Sequence, residues 1–130
     1  MAVPAVATYS AAALVAAQTS FLDLIDAGVG AGFVRVRDAA DVLLAQVPLN
    51  DPAGTVNGTT GQLTFSIAGP DTSADATGTA AYGEFCDSAG TVHLALPVAV
   101  GDTPQTGKIV LNTAYIEITA EVTLVSATIG

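Results

Sequence analysis

The spacing of the apolar residues changes once along this chain, near Gly32, and that change limits the folds open to it. Before Gly32, large apolar residues recur at steps of three and four, which places them on one stripe of a helix. The stripe consists of Leu14, Ala17, Phe21, Leu24 and Ile25. After Gly32, short runs alternate apolar and polar residues, as strands with one buried face do. The pattern predicts one amphipathic helix over residues 10–27 and β-structure over residues 33–130.

The expected helix carries a signal at each end. Ser10 is placed to cap the first turn with its side-chain oxygen, and Gly28 stands where a residue of positive φ commonly ends a helix. The glycines of residues 28–32 then form a flexible connector. Because so thin an apolar stripe does not stabilise an isolated helix, we expect the helix to dock on the sheet or on a neighbouring subunit.

The expected strands are short and are separated by turn residues. They cover residues 33–37, 42–47, 62–67, 82–87 and 91–96, and residues 108–111 and 115–128 together supply two or three more. The expected loops cover residues 51–61, 69–78 and 97–107. Pro48 should close the second strand, and residues 88–90 should turn a hairpin. In the last segment we expect a bend near residues 120–121 and an inward set of Ile116, Ile118, Val122, Leu124 and Ile129.

About seven or eight short strands without helical crossovers favour a mainly β fold and argue against a parallel α/β sheet. We expect a β-sandwich or jelly-roll-like domain with the single helix at one side. A length of 130 residues suits one domain, residues 1–130, with residues 1–9 as a possible N-terminal arm. The edges of such a sandwich carry few charges, so we expect subunits to associate.

The charge balance excludes one class of partner. Twelve acidic residues stand against three basic ones, Arg35, Arg37 and Lys108, for a net charge of −9. Such a surface has almost no cations with which to neutralise phosphates, so we expect no nucleic acid partner. Residues 1–22 carry no charge, yet they lack a basic segment and are interrupted by polar residues. We therefore expect neither membrane insertion nor secretion.

The residues able to do chemistry are few. Cys86 is the only cysteine, so no intramolecular disulfide forms. His93 is the only histidine. The expected hairpin brings His93 near Glu84, with Cys86 on the same strand face, and an acid–base or thiol–imidazole pair can be drawn there. A solvated cross-strand pair beside an inert thiol accounts for the same residues. We expect no catalytic residue in this chain.

Oxygen ligands for a metal ion are the other possibility. The loop of residues 71–75 has two aspartates four positions apart, and Asp87 and Asp102 also lie in expected loops. These segments lack the dense alternating ligands of a calcium loop, so we expect their carboxylates to cap backbone N–H groups. The glycines of residues 28–32 follow a helix, which is the wrong context for a dinucleotide site. We expect no metal and no cofactor, and leave a divalent ion at residues 71–75 open.

Several short segments carry a resemblance to a known group of proteins. They are the helix end at residues 24–28 (LIDAG), the strand at 33–38 (FVRVRD), the loop at 70–80 (PDTSADATGTA), the segment at 87–91 (DSAGT) and the LNT at 111–113. In this order they resemble small virion proteins of tailed bacteriophages, which are usually encoded beside head and tail-connection genes. The resemblance covers nearly the whole chain and consists of turn and strand signatures, so it brings no active-site residues.

This resemblance implies a structural component of a virion, assembled in the host cytoplasm. The leading hypothesis is a decoration or minor capsid protein that binds the outside of the capsid as an oligomer, a trimer or a ring. Its partners would be the major capsid protein or, in the alternative, the neck proteins of a collar or head–tail connection. A hypothesis of another class is a β-sandwich module that binds carbohydrate or another surface. Its weakness is the scarcity of aromatic rings, since only Tyr9, Tyr82 and Tyr115 are candidates.

Overall fold

The computed structural model describes residues 8–130. Most of the expected arm, residues 1–7, lies outside the described residues. The elements are α1 (Ala11–Asp26), β1 (Phe33–Arg37), β2 (Leu43–Val56), β3 (Leu63–Ile67), β4 (Gly78–Thr79), β5 (Tyr82–Cys86), β6 (Val92–Val100), β7 (Lys108–Leu111), β8 (Tyr115–Ile116) and β9 (Leu124–Ile129). Within this part of the chain, no helix is both long enough and apolar enough to cross a membrane.

Both predicted helix ends are confirmed. The Ser10 Oγ accepts a hydrogen bond from the N–H of Ala13 at 3.1 Å, and Gly28 takes a φ of 113° just beyond the last turn. Of the expected stripe, Ile25 is buried and Phe21 packs partly against the core, but the other buried residues of the helix are Gln18 and Leu22. Leu24 is 51% exposed. The helix packs across β2.

Seven strands close into a barrel in the order β1, β2, β3, β9, β7, β6, β5. Neighbours are antiparallel except β6 and β7, which are parallel. Inside, the rings of Phe65 and Phe85 stack with centroids 4.1 Å apart, and Phe21 meets Phe65 edge-on. The β1 residues Val34 and Val36 are fully buried in the same core, as the alternation predicts.

The mainly β fold with one N-terminal helix is therefore as predicted, but its closure differs from a two-sheet sandwich or jelly roll. Each of the seven strands pairs with a neighbour on both sides, and the pairing of β1 with β5 joins the two ends of the strand order. A closed barrel has no open sheet edge, so the edges from which we expected subunit association are absent from it. Free edges remain on the small second sheet, an antiparallel pair of β4 and β8.

Two expected strand ends are wrong because proline is accommodated inside the strand. β2 runs through Pro48 to Val56, so the loop expected over residues 51–61 begins only after Val56. Leu49 donates its N–H to the carbonyl of Gly32, whereas Pro48 faces the other side, where its carbonyl accepts from Ala68. Pro48 has no N–H to donate. The missing donor would face β3, and the pairing of β2 with β3 is irregular. β6 likewise continues through its proline to Val100.

The last segment breaks earlier than expected. After β8 the chain turns at residues 117–120, with Thr119 at a φ of 70° and the N–H of Ala120 bonded to the carbonyl of Glu117. This turn ends the alternation, so Ile118 is 56% exposed rather than inward. Three of the expected inward residues, Ile116, Val122 and Leu124, are buried, and Ile129 packs partly against the core.

Candidate functional site

The predicted hairpin forms, but it does not bring His93 to Glu84. Phe85 pairs with Leu94 and Cys86 with Val92, so His93 is the extra residue of a β-bulge. A bulge redirects side chains locally. The ring Nε2 of His93 accordingly lies 3.0 Å from Oδ2 of Asp87. The expected proximity to Glu84 is wrong, because Glu84 pairs with Ala95 and the ring of His93 contacts Asp87 instead.

Asp87 organises the turn as well as holding His93. Its Oδ1 accepts hydrogen bonds from the N–H groups of Ala89 and Thr91, both at 3.0 Å. The bond to His93, followed by the bond from Thr91, lowers the pKa of the Asp87 carboxyl. The charged carboxylate is therefore a structural part of the hairpin.

Replacing this charge should alter the acid stability of the protein. The lowered pKa means that Asp87 stabilises the fold above the usual carboxyl pKa of 3.8 and loses that contribution as the pH falls through its own lower value. We expect Asp87→Asn to lower the free energy of unfolding at neutral pH, and the deficit to shrink in strong acid. Urea unfolding at a series of pH values measures it, with His93→Gln as a variant that keeps the turn bonds. A deficit that stays constant with pH would contradict the assignment.

Cys86 is placed as an inert thiol would be. It is fully buried, and its Sγ lies 3.7 Å from the carbonyl oxygen of Glu84. Burial raises the pKa of the Cys86 thiol, which keeps it protonated. Because the thiolate is the nucleophile, this environment disfavours nucleophilic chemistry.

The arginines of β1 are engaged on the outside of the barrel. Arg37 donates its Nε–H to Oε1 of Glu84 on β5 and its Nη1 to the carbonyl of Asp41 at 2.9 Å. Tyr82 donates its hydroxyl to Oδ1 of Asp41 at 2.6 Å, and this bond raises the pKa of Tyr82 to about 12. Arg35 extends over the ring of Phe33, with its guanidinium carbon 5.0 Å from the ring centroid.

The carboxylate of Asp71 holds backbone rather than standing free. Oδ2 accepts from the N–H of Gln46 at 2.8 Å, and Oδ1 accepts from the N–H of Ser73 at 3.0 Å. Asp75 and Asp102 are exposed on their loops. Within residues 8–130, no three side chains of the metal-binding types come together as a ligand set. The capping role expected for this loop fits Asp71.

A cleft of about 260 Å³ opens where β7 and β9 separate. The two strands pair as far as Leu111 and Leu124, and the connection between them forms the walls. The lining residues are Asn112, Thr113, Tyr115, Ile116, Glu117, Ala120, Glu121, Val122 and Thr123. Sequence reasoning missed this site, because residues 115–128 alternate as a continuous strand would and only the turn at Thr119 separates the two walls.

The cleft combines an apolar floor with an acidic rim. Ile116 and Val122 also belong to the hydrophobic core, whereas Glu117 and Glu121 are exposed. Tyr115 adds a ring that is 55% exposed. Among the described residues, neither glutamate forms an ion pair. The arrangement suits recognition of a positively charged group beside an apolar one.

No family model, curated protein or solved structure matches the chain.

Proposed function

We propose that the chain is a structural protein of a tailed-bacteriophage virion, a decoration or minor capsid protein that binds and stabilises the outside of the shell. The observation that carries the proposal is the negative net charge of the chain. The chain has three basic residues, of which Arg37 is paired with Glu84 and Arg35 lies over Phe33. A surface of net charge −9 is repelled by packed DNA and therefore belongs on the outer side of a particle.

The side chains able to do chemistry support a binding role. Asp87 and His93 hold each other in the hairpin, Asp71 caps backbone, and Cys86 is buried. Exposed apolar side chains such as Ile118 are at the same time available for contact. A protein that binds only the assembled shell lowers the free energy of that shell by mass action, and several attached copies raise the effective affinity.

The test is co-sedimentation of the purified chain with empty shells of the tailed phage that encodes it, followed by electron microscopy of the pellet. We expect saturable binding, density on the outer capsid faces, and shells that resist heat better. A chain that remains in the supernatant at saturating concentrations would overturn the proposal. Density at the neck would replace it with the collar or head–tail connection role.

The N-terminal arm should matter for attachment and not for folding. Deleting residues 2–9 leaves Ser10 in place, so the bond from Ala13 that begins α1 is kept. We expect a chain that still folds and that binds shells more weakly, as co-sedimentation measures. Equal shell affinity for the deletion and the full chain would show that residues 2–9 are not an attachment arm.

One observation favours a second candidate, a carbohydrate-binding module. The exposed ring of Tyr115 lies on the same cleft as the carboxylates of Glu117 and Glu121. An aromatic ring beside hydrogen-bond acceptors is a common sugar platform. Glycan-array binding that Tyr115→Ala abolishes, from a chain that ignores shells, would favour this role.

A further inference from the structure

We propose that Asn57 is a site of spontaneous covalent modification, at which the backbone nitrogen of Gly58 attacks the side-chain amide and water then completes the conversion to aspartate and isoaspartate. The inference goes beyond the virion role and does not depend on it. It follows from the turn between β2 and β3, which holds the reacting groups together and leaves them exposed.

The turn folds the side chain of Asn57 over the backbone of Gly58. The Oδ1 of Asn57 accepts hydrogen bonds from the N–H groups of Thr59 and Thr60, at 2.8 and 3.1 Å. Since these bonds span Gly58, they keep Cγ of Asn57 beside the nitrogen of Gly58, as in other turns closed by an asparagine side chain. A reaction between two groups already held together avoids the cost of an encounter.

The groups that must react are otherwise unengaged. In the part of the chain that the structure describes, neither the N–H of Gly58 nor the Nδ2 of Asn57 makes a hydrogen bond. Both residues are exposed, and nothing lies within 4 Å of the place that a Cβ would take at Gly58. A cyclic intermediate therefore has room to form, and water can reach it.

The chemistry balances with water as the only co-reactant. The nitrogen of Gly58 gives up its proton and bonds to Cγ of Asn57. The bond from Cγ to Nδ2 breaks, and Nδ2 leaves as ammonia with that proton. The N–H groups of Thr59 and Thr60 stabilise the negative charge that develops on Oδ1 during the attack. Water then opens the cyclic imide, at Cγ to give aspartate or at the backbone carbonyl to give isoaspartate.

The other two asparagines of the chain lack this arrangement. Asn50 donates from its Nδ2 to the Oγ of Ser66 at 2.7 Å, so its leaving group is held. Asn112 is followed by Thr113, whose branched side chain restricts the backbone beside the attacking nitrogen. We therefore expect Asn57 to be modified first, with the other two as internal controls.

The isoaspartate product should loosen the hairpin. The turn closes through the N–H of Asn57, which donates to the carbonyl of Gln62, and through the carbonyl of Asn57, which accepts from Gly61, both at 2.8 Å. Isoaspartate lengthens the main chain at this point and converts that accepting carbonyl into a free carboxylate. The aspartate product keeps both bonds.

The experiment is ageing of the full, folded chain for several weeks at mildly alkaline pH, in water labelled with heavy oxygen, followed by peptide mass spectrometry. We expect one labelled oxygen at Asn57 and one added negative charge, which anion exchange detects. The rate should rise with pH, because the attacking nitrogen must lose its proton. Gly58→Ala should slow the modification about tenfold, since a Cβ restricts the rotation that the attack requires. The matched control is Gly69→Ala, at another glycine with open space around it, which should leave the rate unchanged.

Three results would overturn the proposal. One is an Asn57 that keeps its amide and takes up no labelled oxygen throughout the ageing. Another is modification of Asn50 or Asn112 at the same rate, which would mean general lability. The third is an unchanged rate in Gly58→Ala, with folding checked by circular dichroism, which would exclude attack by this nitrogen. Because no shell is used, failure here is distinguishable from failure of the virion role.

Discussion

Replacing Phe85 with alanine is expected to lower the free energy of unfolding by about 3–5 kcal/mol. The Phe85 side chain is fully buried in the barrel, and its ring stacks on Phe65 at 4.1 Å. Truncation removes this stacked pair and leaves a cavity that the hydrogen-bonded barrel wall cannot close by collapsing. Since the free energy of unfolding of a small domain is only about 5–15 kcal/mol, this single substitution removes a large fraction of it.

The control is Phe33→Ala, a substitution of the same chemistry on the neighbouring strand. Phe33 is only partly buried and packs against the guanidinium of Arg35. Its loss should cost about 1 kcal/mol. Guanidinium chloride unfolding followed by circular dichroism measures both. Equal losses for the two variants would contradict the packing described for the barrel interior.

Gly32→Ala is expected to cost about 2–3 kcal/mol, whereas Gly30→Ala, two residues away, should change stability by no more than about 0.5 kcal/mol. A Cβ at Gly32 would overlap the carbonyl oxygen of Cys86 and lie 2.9 Å from Cγ2 of Ile25. Because the carbonyl oxygen of Cys86 is backbone, the overlap can be removed only by moving the connector. That movement would disturb the hydrogen bond from the N–H of Leu49 to the carbonyl of Gly32. At Gly30 the nearest atom is Cβ of Ser88, at 4.0 Å.

Thermal and denaturant unfolding of these two variants, side by side with the parent, is the measurement. If both alanines are tolerated equally, the connector is the flexible tether expected from its glycines. If only Gly32→Ala destabilises, the connector is a fixed junction where the helix end meets the hairpin strand.

The local features of this fold could be predicted because short-range physics decides them. Ser10 caps its helix through a residue three positions away, and the alternation of β1 follows from the two-residue period of a strand. The partner of His93 could not be predicted, since His93 lies in a β-bulge of β6, whose position depends on the pairing with β5. The cleft could not be predicted either, because both of its walls belong to one alternating segment that reads as a continuous strand. The turn at Thr119 interrupts this segment.

The amino-acid sequence by itself determined that this protein is a mainly β domain with one N-terminal helix and an acidic surface, because periodicity, caps and charge are properties of neighbouring residues. Only the tertiary structure decided that the sheet closes, because closure depends on the pairing of β1 with β5, two strands that are distant in the sequence. It also decided which carboxylates are engaged and which are free. Asp71 and Asp87 are held by backbone N–H groups brought to them by folding, whereas Glu117 and Glu121 are left on an open rim.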